Sequence, residues 1–232
     1  MNASSETGEK RLTRMALVRK RFARNKLAVA GLVILVAMFV LAFVGPFFGK
    51  HSWDSLDFFS LLQPPSKEHF FGTSQIGGDV YALTLRGLQK SLIIGILVAI
   101  FSTGLAAIAG GFAGFYGGKV DRSVMWIIDA LLVLPSFLII AVMSPWFRGR
   151  TWLIFVVLLA AFGWMITARI VRSATMSLRE RDFVRAAIYM GIPARKIVFR
   201  HLLPNVASIL IIDATLNVGG TILSETGLSY LG

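Results

Sequence analysis

Two apolar runs in this chain, Leu27–Phe48 and Ser91–Tyr116, contain no charged residue. A helix needs roughly 20 apolar residues to cross a hydrocarbon core about 30 Å thick, and both runs reach that length. Buried helices of a soluble protein are shorter and less uniformly apolar. Three further runs read as spans: Ser123–Met143 with Asp129 inside it, Thr151–Val171 with Arg169 near its end, and Asn205–Leu223 with Asp213. The expected fold is all-α, a polytopic transmembrane helical bundle with five legible spans. Composition agrees: 16% of the residues are charged, against about 25% in ordinary soluble domains.

Charge placement sets the expected orientation. Residues 1–26 carry Lys10, Arg11, Arg14, Arg19, Lys20, Arg21, Arg24 and Lys26, and cytoplasmic flanks are enriched in such residues. The apolar stretch that follows, 27–48, exceeds the 7–15-residue core of a signal peptide and reads as a retained anchor. Alternation then places 49–90 outside, 117–122 inside, 144–150 outside and 172–204 inside. The last holds Arg172, Arg179, Arg181, Arg185, Arg195, Lys196 and Arg200, so the two most basic segments share a side. The net charge of +12 then suits loops facing anionic lipid rather than a nucleic acid. Within 49–90, which is long enough to fold partly by itself, residues 76–90 read as an amphipathic helix at the interface.

Cysteine is absent, which excludes disulfides, thiolate metal sites and cysteine nucleophiles. The sequence has no Gly-x-x-x-x-Gly-Lys-Ser/Thr loop to cradle ATP phosphates and no His-Glu-x-x-His or serine elbow, so no catalytic residue and no enzyme is expected. His51, His69 and His201 are scattered along the chain and suggest no metal site. Gly95, Gly104, Gly110, Gly111, Gly114, Gly117 and Gly118 suit close helix packing, and Pro135 is expected to kink the third span. Charges inside spans face a cavity or a partner. Asp129 reads as structural. Asp213, Asn217 and Glu225 are candidates for a substrate pathway, with purely structural pairing equally open.

The most informative region is 177–204. Residues 177–190 read as a helix with Phe183, Ala187 and Met190 along one face. Gly191 suits a left-handed C-terminal cap, and Pro193 the first turn of a second helix running roughly to His201, which Pro204 stops. Ala186, Ala187, Gly191 and Ala194 are small, and Arg195, Lys196 and Arg200 make a basic edge. From the residues alone, a bend that docks into a soluble partner and an amphipathic hairpin on lipid headgroups are both open.

The pattern Ala186-Ala187, Gly191, Ile197 and Leu203-Pro204 resembles the coupling-loop signature of bacterial ABC importer permeases. Arg185 stands where that signature usually has glutamate. Arg200-His-Leu-Leu-Pro-Asn205 is similar to the peptide and nickel importer group. His69-Phe-Phe-Gly-Thr-Ser-Gln-Ile-Gly-Gly-Asp-Val80 resembles the segment before the second span of its C-type permease, with Ser74 and Gly78 in place of the usual aspartate and arginine. Leu223-Ser-Glu-Thr-Gly-Leu-Ser-Tyr-Leu-Gly232 is similar to the stretch after the fifth span, and Asp129 and Pro135 also match.

The resemblance implies a type I importer permease with six spans. The permease core, 91–232, is expected to lack the last. It implies a multi-pass protein of the bacterial plasma (inner) membrane with a cytoplasmic N-terminus. Its coupling loop comprises Arg185, Ala186, Ala187, Gly191, Ile192, Pro193, Ala194 and Arg195. The partners implied are a second homologous permease, two ATPase subunits or one fused ATPase, an external substrate-binding protein, and membrane lipid. ATP and Mg would be bound by the ATPase partners, and no cofactor or metal by this chain. The substrate implied is a di- or oligopeptide, with nickel or another small solute as the alternative. A passive channel is the rival from another class, and it needs no ATPase-docking bend.

Overall fold

The computed structural model describes residues 20–143 and 152–231. The basic positions 10–19, the loop 144–150, Thr151 and Gly232 lie outside the described residues. The chain forms two compact units, Met1–Gln89 and Lys90–Gly232. Among the described residues, three helices are long and apolar enough to cross a membrane, and five spans result if each of two bent helix pairs counts as one.

In the first unit, α1 (Lys26–Val44) starts at Asn25, whose side chain accepts from the Ala28 N–H. It ends in a 3-10 turn, Gly45–Phe48. The following segment folds without regular strands, held by isolated bridges Leu56–Gly78 and Thr73–Asp79. Two glycines make its crossings possible. A Cβ at Gly77 would sit 2.0 Å from the Asp57 carbonyl oxygen, and one at Gly72 2.4 Å from that of Gln63. Both have positive φ, a region costly to other residues. Tyr81 Oη donates to the Gly45 carbonyl at 2.9 Å, and Gln89 Nε2 to that of Ala42 at 2.6 Å, tying α1 to the next helix.

That helix, α2, runs from Val80 to Tyr116. The helix expected at 76–90 starts at Val80 and runs without a break into the second span. Asp79 caps the helix by accepting from the Ala82 N–H at 2.9 Å. No proline follows within it, and the isolated Gly87 does not break it.

Gly117 and Gly118, at φ 64° and 55°, reverse the chain almost at once, so α3 (Gly118–Leu132) starts earlier than the expected span. Pro135 has no N–H to give and disfavours helix at the residue before it. The helix breaks there, and α4 (Ser136–Met143) leaves at 66°. The fourth run is likewise bent, by 43°, between α5 (Leu153–Gly163) and α6 (Met165–Arg179). At that bend the Trp164 indole donates to the Ala161 carbonyl and draws it from the helical ladder. On α2, Gly110 and Gly114 let α6 approach closely: a Cβ would lie 2.4 Å from the Ala168 carbonyl oxygen and 2.6 Å from that of Arg172.

After α6 come α7 (Asp182–Tyr189), α8 (Ala194–Ile197), a π turn (Val198–Leu202) and α9 (Leu203–Leu231). Two expectations are corrected here. The helix read as 177–190 is interrupted at Glu180–Arg181, where Arg181 is extended. Pro204 does not stop a helix but lies in the first turn of α9. The wide π turn just before it relieves the clash and the missing donor that a proline brings.

Candidate functional site

The bend between α7 and α8 is built as a double hydrogen-bonded cap. Gly191, at φ 71°, donates to the Ile188 carbonyl at 2.9 Å, and Ile192 reaches back to that of Ala187 at 3.1 Å. This is the Schellman arrangement, which requires a left-handed residue at the glycine position. Beneath it Val184, Ala187, Ile197, Val198 and Leu202 are buried with Phe115 of α2, and Ile192 packs on the same cluster. The bend is thereby joined to α2 and to the start of α9.

This packing revises the helical face. Val184 and Ala187 point inward, whereas Phe183 and Met190 are exposed, at 46% and 70%. Ala187 is small because it meets the chain's own core. Ile192 and Ala194 are half-buried. Arg185, Ala186, Gly191, Pro193 and Arg195 lie on the surface. Tyr189, 83% exposed, projects beside them and was not singled out in the sequence. A shallow depression lined by Pro193, Arg195, Lys196, Phe199 and Arg200 continues the basic edge. The surface therefore offers exposed apolar side chains among its cations, Tyr189 and Met190 the most exposed of them.

The pathway candidates form a seam between α2 and α9. Ser91 Oγ donates to Glu225 at 2.9 Å, Asn217 donates to Ser102 Oγ at 3.1 Å, and Thr103 lies 3.4 Å from Asp213. Partners on α9 descend as positions on α2 rise, so the two helices run antiparallel. Thr167 of α6 also donates to Asp213, at 2.7 Å. A carboxylate accepts at about four sites, and these hydroxyls fill two on Asp213. Asn217 also lines a cavity of about 270 Å³ with Ser136, Phe137, Gly163, Thr221 and Ser224. Asp213 and Glu225 lie outside its lining.

Arg169 pairs with Asp129, as the structural reading of Asp129 expected. A second pair was missed: Arg172 holds Asp121 through both carboxylate oxygens, one contact being 2.6 Å. Arg169 and Arg172 sit one turn apart on α6, and Asp121 and Asp129 about two turns apart on α3, so the sequence spacing of the four gave no matched signal of two pairs.

Two of the histidines that are scattered in the sequence meet in the structure. His51 and His69 stack with ring centroids 4.4 Å apart. His69 Nδ1 lies 2.8 Å from Asp79 Oδ2, and His51 Nδ1 lies 3.7 Å from the same oxygen. The chain crossing at Gly77 brings these positions together, and no sequence spacing announces it.

Comparison with known proteins accords with the helical architecture and the bend. Residues 91–232 match the family described as binding-protein-dependent transport system inner membrane component. Residues 13–65 match the N-terminal TM domain of oligopeptide transport permease C. The chain is 54% identical to the oligopeptide transport system permease protein OppC of Mycobacterium tuberculosis, over 95% of this chain and 76% of that protein. It is 37% identical to the protein of that name in Haemophilus influenzae, over 92% of this chain and 69% of the relative. The dipeptide transport system permease protein DppC of Bacillus subtilis is 36% identical, over 92% of this chain and 66% of its own length. The chain is an integral membrane protein and belongs to the family of binding-protein-dependent transport system inner membrane components, of the oligopeptide permease C type.

Proposed function

We propose that this chain is a transmembrane permease subunit of an ATP-driven importer, moving peptides inward by alternating access. The observation that carries the reading is the capped bend at Gly191. It is closed by two backbone hydrogen bonds, its surface is apolar and cationic, and its core is shared with α2 and α9. A push on such a bend moves those helices as one body. The names of the relatives, oligopeptide and dipeptide transport permeases, support a peptide as substrate.

In this reading ATP and Mg are bound by separate ATPase subunits that dock on Arg185, Ala186, Gly191, Pro193 and Arg195, with Tyr189 and Met190 as apolar anchors. Residues 172–204 face the cytoplasm, the N-terminus lies on the same side, and the membrane is the bacterial plasma membrane. A second, homologous permease completes the pathway, and an external binding protein delivers the substrate. Asp213 retains accepting capacity toward a peptide's ammonium group, and Asn217 opens onto the adjacent cavity. ATP binding shifts the populations of two permease states only through different affinity for them, and the bend transmits that difference.

The test is reconstitution. The chain, reconstituted with the ATPases and second permease that co-purify with it from its native membrane, is placed in liposomes with labelled tri- to pentapeptides and an external binding protein. ATP-dependent peptide uptake supports the reading. Peptide flux that persists without ATPase subunits would make the chain a passive channel.

A further inference from the structure

The cluster formed by His51, His69 and Asp79 is used by nothing in the transport reading. His69 and Asp79 are buried, at 6% and 5% exposure. Asp79 is held in place because its other oxygen caps α2 through the Ala82 N–H. His51 Nδ1 is fully covered, and among the described residues it has no hydrogen-bond partner. A buried polar atom left unpaired is destabilising, because it has lost its water and gained no partner. The nearest carboxylate oxygen stands at 3.7 Å, beyond hydrogen-bond reach.

That distance is wrong for a hydrogen bond and suitable for two ligands of one ion. In a tetrahedral zinc site with bonds of about 2.0–2.1 Å, donors stand about 3.4 Å apart. The two contacts at Asp79 Oδ2, 2.8 and 3.7 Å, bracket that value, and all three donor atoms lie within 4.8 Å of one another. A cavity of about 70 Å³ adjoins the three side chains, with Asp57 on its wall. It has room for a water as fourth ligand. Two imidazoles and one carboxylate select a borderline transition ion, whereas Ca²⁺ and Mg²⁺ prefer all-oxygen shells.

We propose that His51, His69 and Asp79 bind a divalent transition-metal ion, Zn²⁺ foremost, which fastens the start of the 49–79 segment to the cap of α2. The ion takes the place of the hydrogen between His69 Nδ1 and Asp79 Oδ2, and His69 then carries its one N–H on Nε2, so it ligates as a neutral imidazole. The site goes beyond the transport reading and does not depend on it.

The experiment uses the chain purified without a histidine tag, in nanodiscs, stripped with chelator. Zn²⁺ is titrated against a chromophoric competitor, and Co²⁺ is added separately for its visible spectrum. The expected result is one Zn²⁺ per chain, no competition by Mg²⁺, and tetrahedral Co²⁺ bands that Zn²⁺ displaces. His51→Ala is expected to weaken binding by more than about 100-fold, since losing mere outer-shell partners of a metal ligand costs 10–100-fold. His201→Ala is expected to change nothing. Absence of stoichiometric uptake by the unmodified chain overturns the proposal, whatever the variants do. So does undiminished binding by His51→Ala, and either result makes the cluster a hydrogen-bonded helix cap only.

Discussion

The segment 49–79 and the bend at 177–204 solve opposite problems. The bend buries apolar side chains, Val184, Ile197, Val198 and Leu202, and leaves its cations on the surface. The segment before α2 buries polar ones, His69, Thr73 and Asp79, while Phe58, Phe59 and Leu62 stay exposed. The first is held by local helical hydrogen bonds and a shared apolar cluster. The second is held by loop crossings that bring distant residues into hydrogen-bond range. A fold of the first kind tolerates surface change and resists backbone change at one glycine. A fold of the second kind fails wherever a crossing is blocked.

The largest expected effect is therefore at Gly77. Alanine there places a Cβ 2.0 Å from the Asp57 carbonyl oxygen, at φ 79°. Left-handed strain of about 1–2 kcal/mol adds to an overpacking cost of about 1–3 kcal/mol. Limited proteolysis is expected to cut the 49–79 segment of Gly77→Ala and spare that of the unmodified chain. A segment equally resistant in both would show that the crossing is not what holds it.

At Gly191 the space is open and only the backbone objects: nothing lies within 4 Å of an added Cβ, but φ is 71°. Gly191→Ala is expected to cost about 1–2 kcal/mol, and Gly191→Val more, being β-branched. Gly191→Asn should be nearly silent, because asparagine tolerates that region. In the reconstituted importer, peptide uptake is expected to fall tenfold or more for valine, with ATP hydrolysis partly retained. Normal uptake by Gly191→Val removes the bend from the mechanism.

Legibility in the sequence follows the same division. The five apolar runs and the Gly191 cap were readable because helix length, glycine and proline act within a few residues. The breaks at Glu180–Arg181 and Trp164 were not, since each depends on side chains meeting carbonyls or on a core that forms later. The inward turn of Ala187 was hidden for a related reason: at an amphipathic helix, periodicity cannot say which small residue meets the core. Asp213, Asn217 and Glu225 were visible as polar intruders, but their hydroxyl partners on α2 come from over a hundred positions away. His51, His69 and Asp79 meet only through the crossing at Gly77.

Tyr189 and Met190 sharpen the contrast from the other side. Both are exposed, so Tyr189→Ala and Met190→Ser should shift stability of the chain by no more than about 0.5 kcal/mol. Anchors at an interface cost about 2 kcal/mol or more when truncated, roughly a 30-fold loss of affinity. Thermal unfolding in detergent and ATPase capture by the same preparations separate the two quantities. A variant that unfolds early, or one that binds the ATPase as before, places these side chains in the wrong class.

The smallest expected effect concerns the ion pair of Lys50 and Glu68, 2.8 Å apart with both side chains largely exposed. The ammonium that donates to Glu68, and its charge, hold that carboxyl below its ordinary value of 4.5. A carboxyl lowered on folding adds stability above its unfolded value and loses it as pH falls through the folded one. Glu68→Gln should thus match the unmodified chain at strongly acid pH and fall slightly below it from about pH 5 upward. Exposed pairs contribute little and are screened by salt, so the gap should close at high ionic strength. A gap that survives high salt, or one as large as that of Gly77→Ala, would mean the segment is held by its surface charges. The contrast with the bend would then rest on electrostatics rather than on what each region buries.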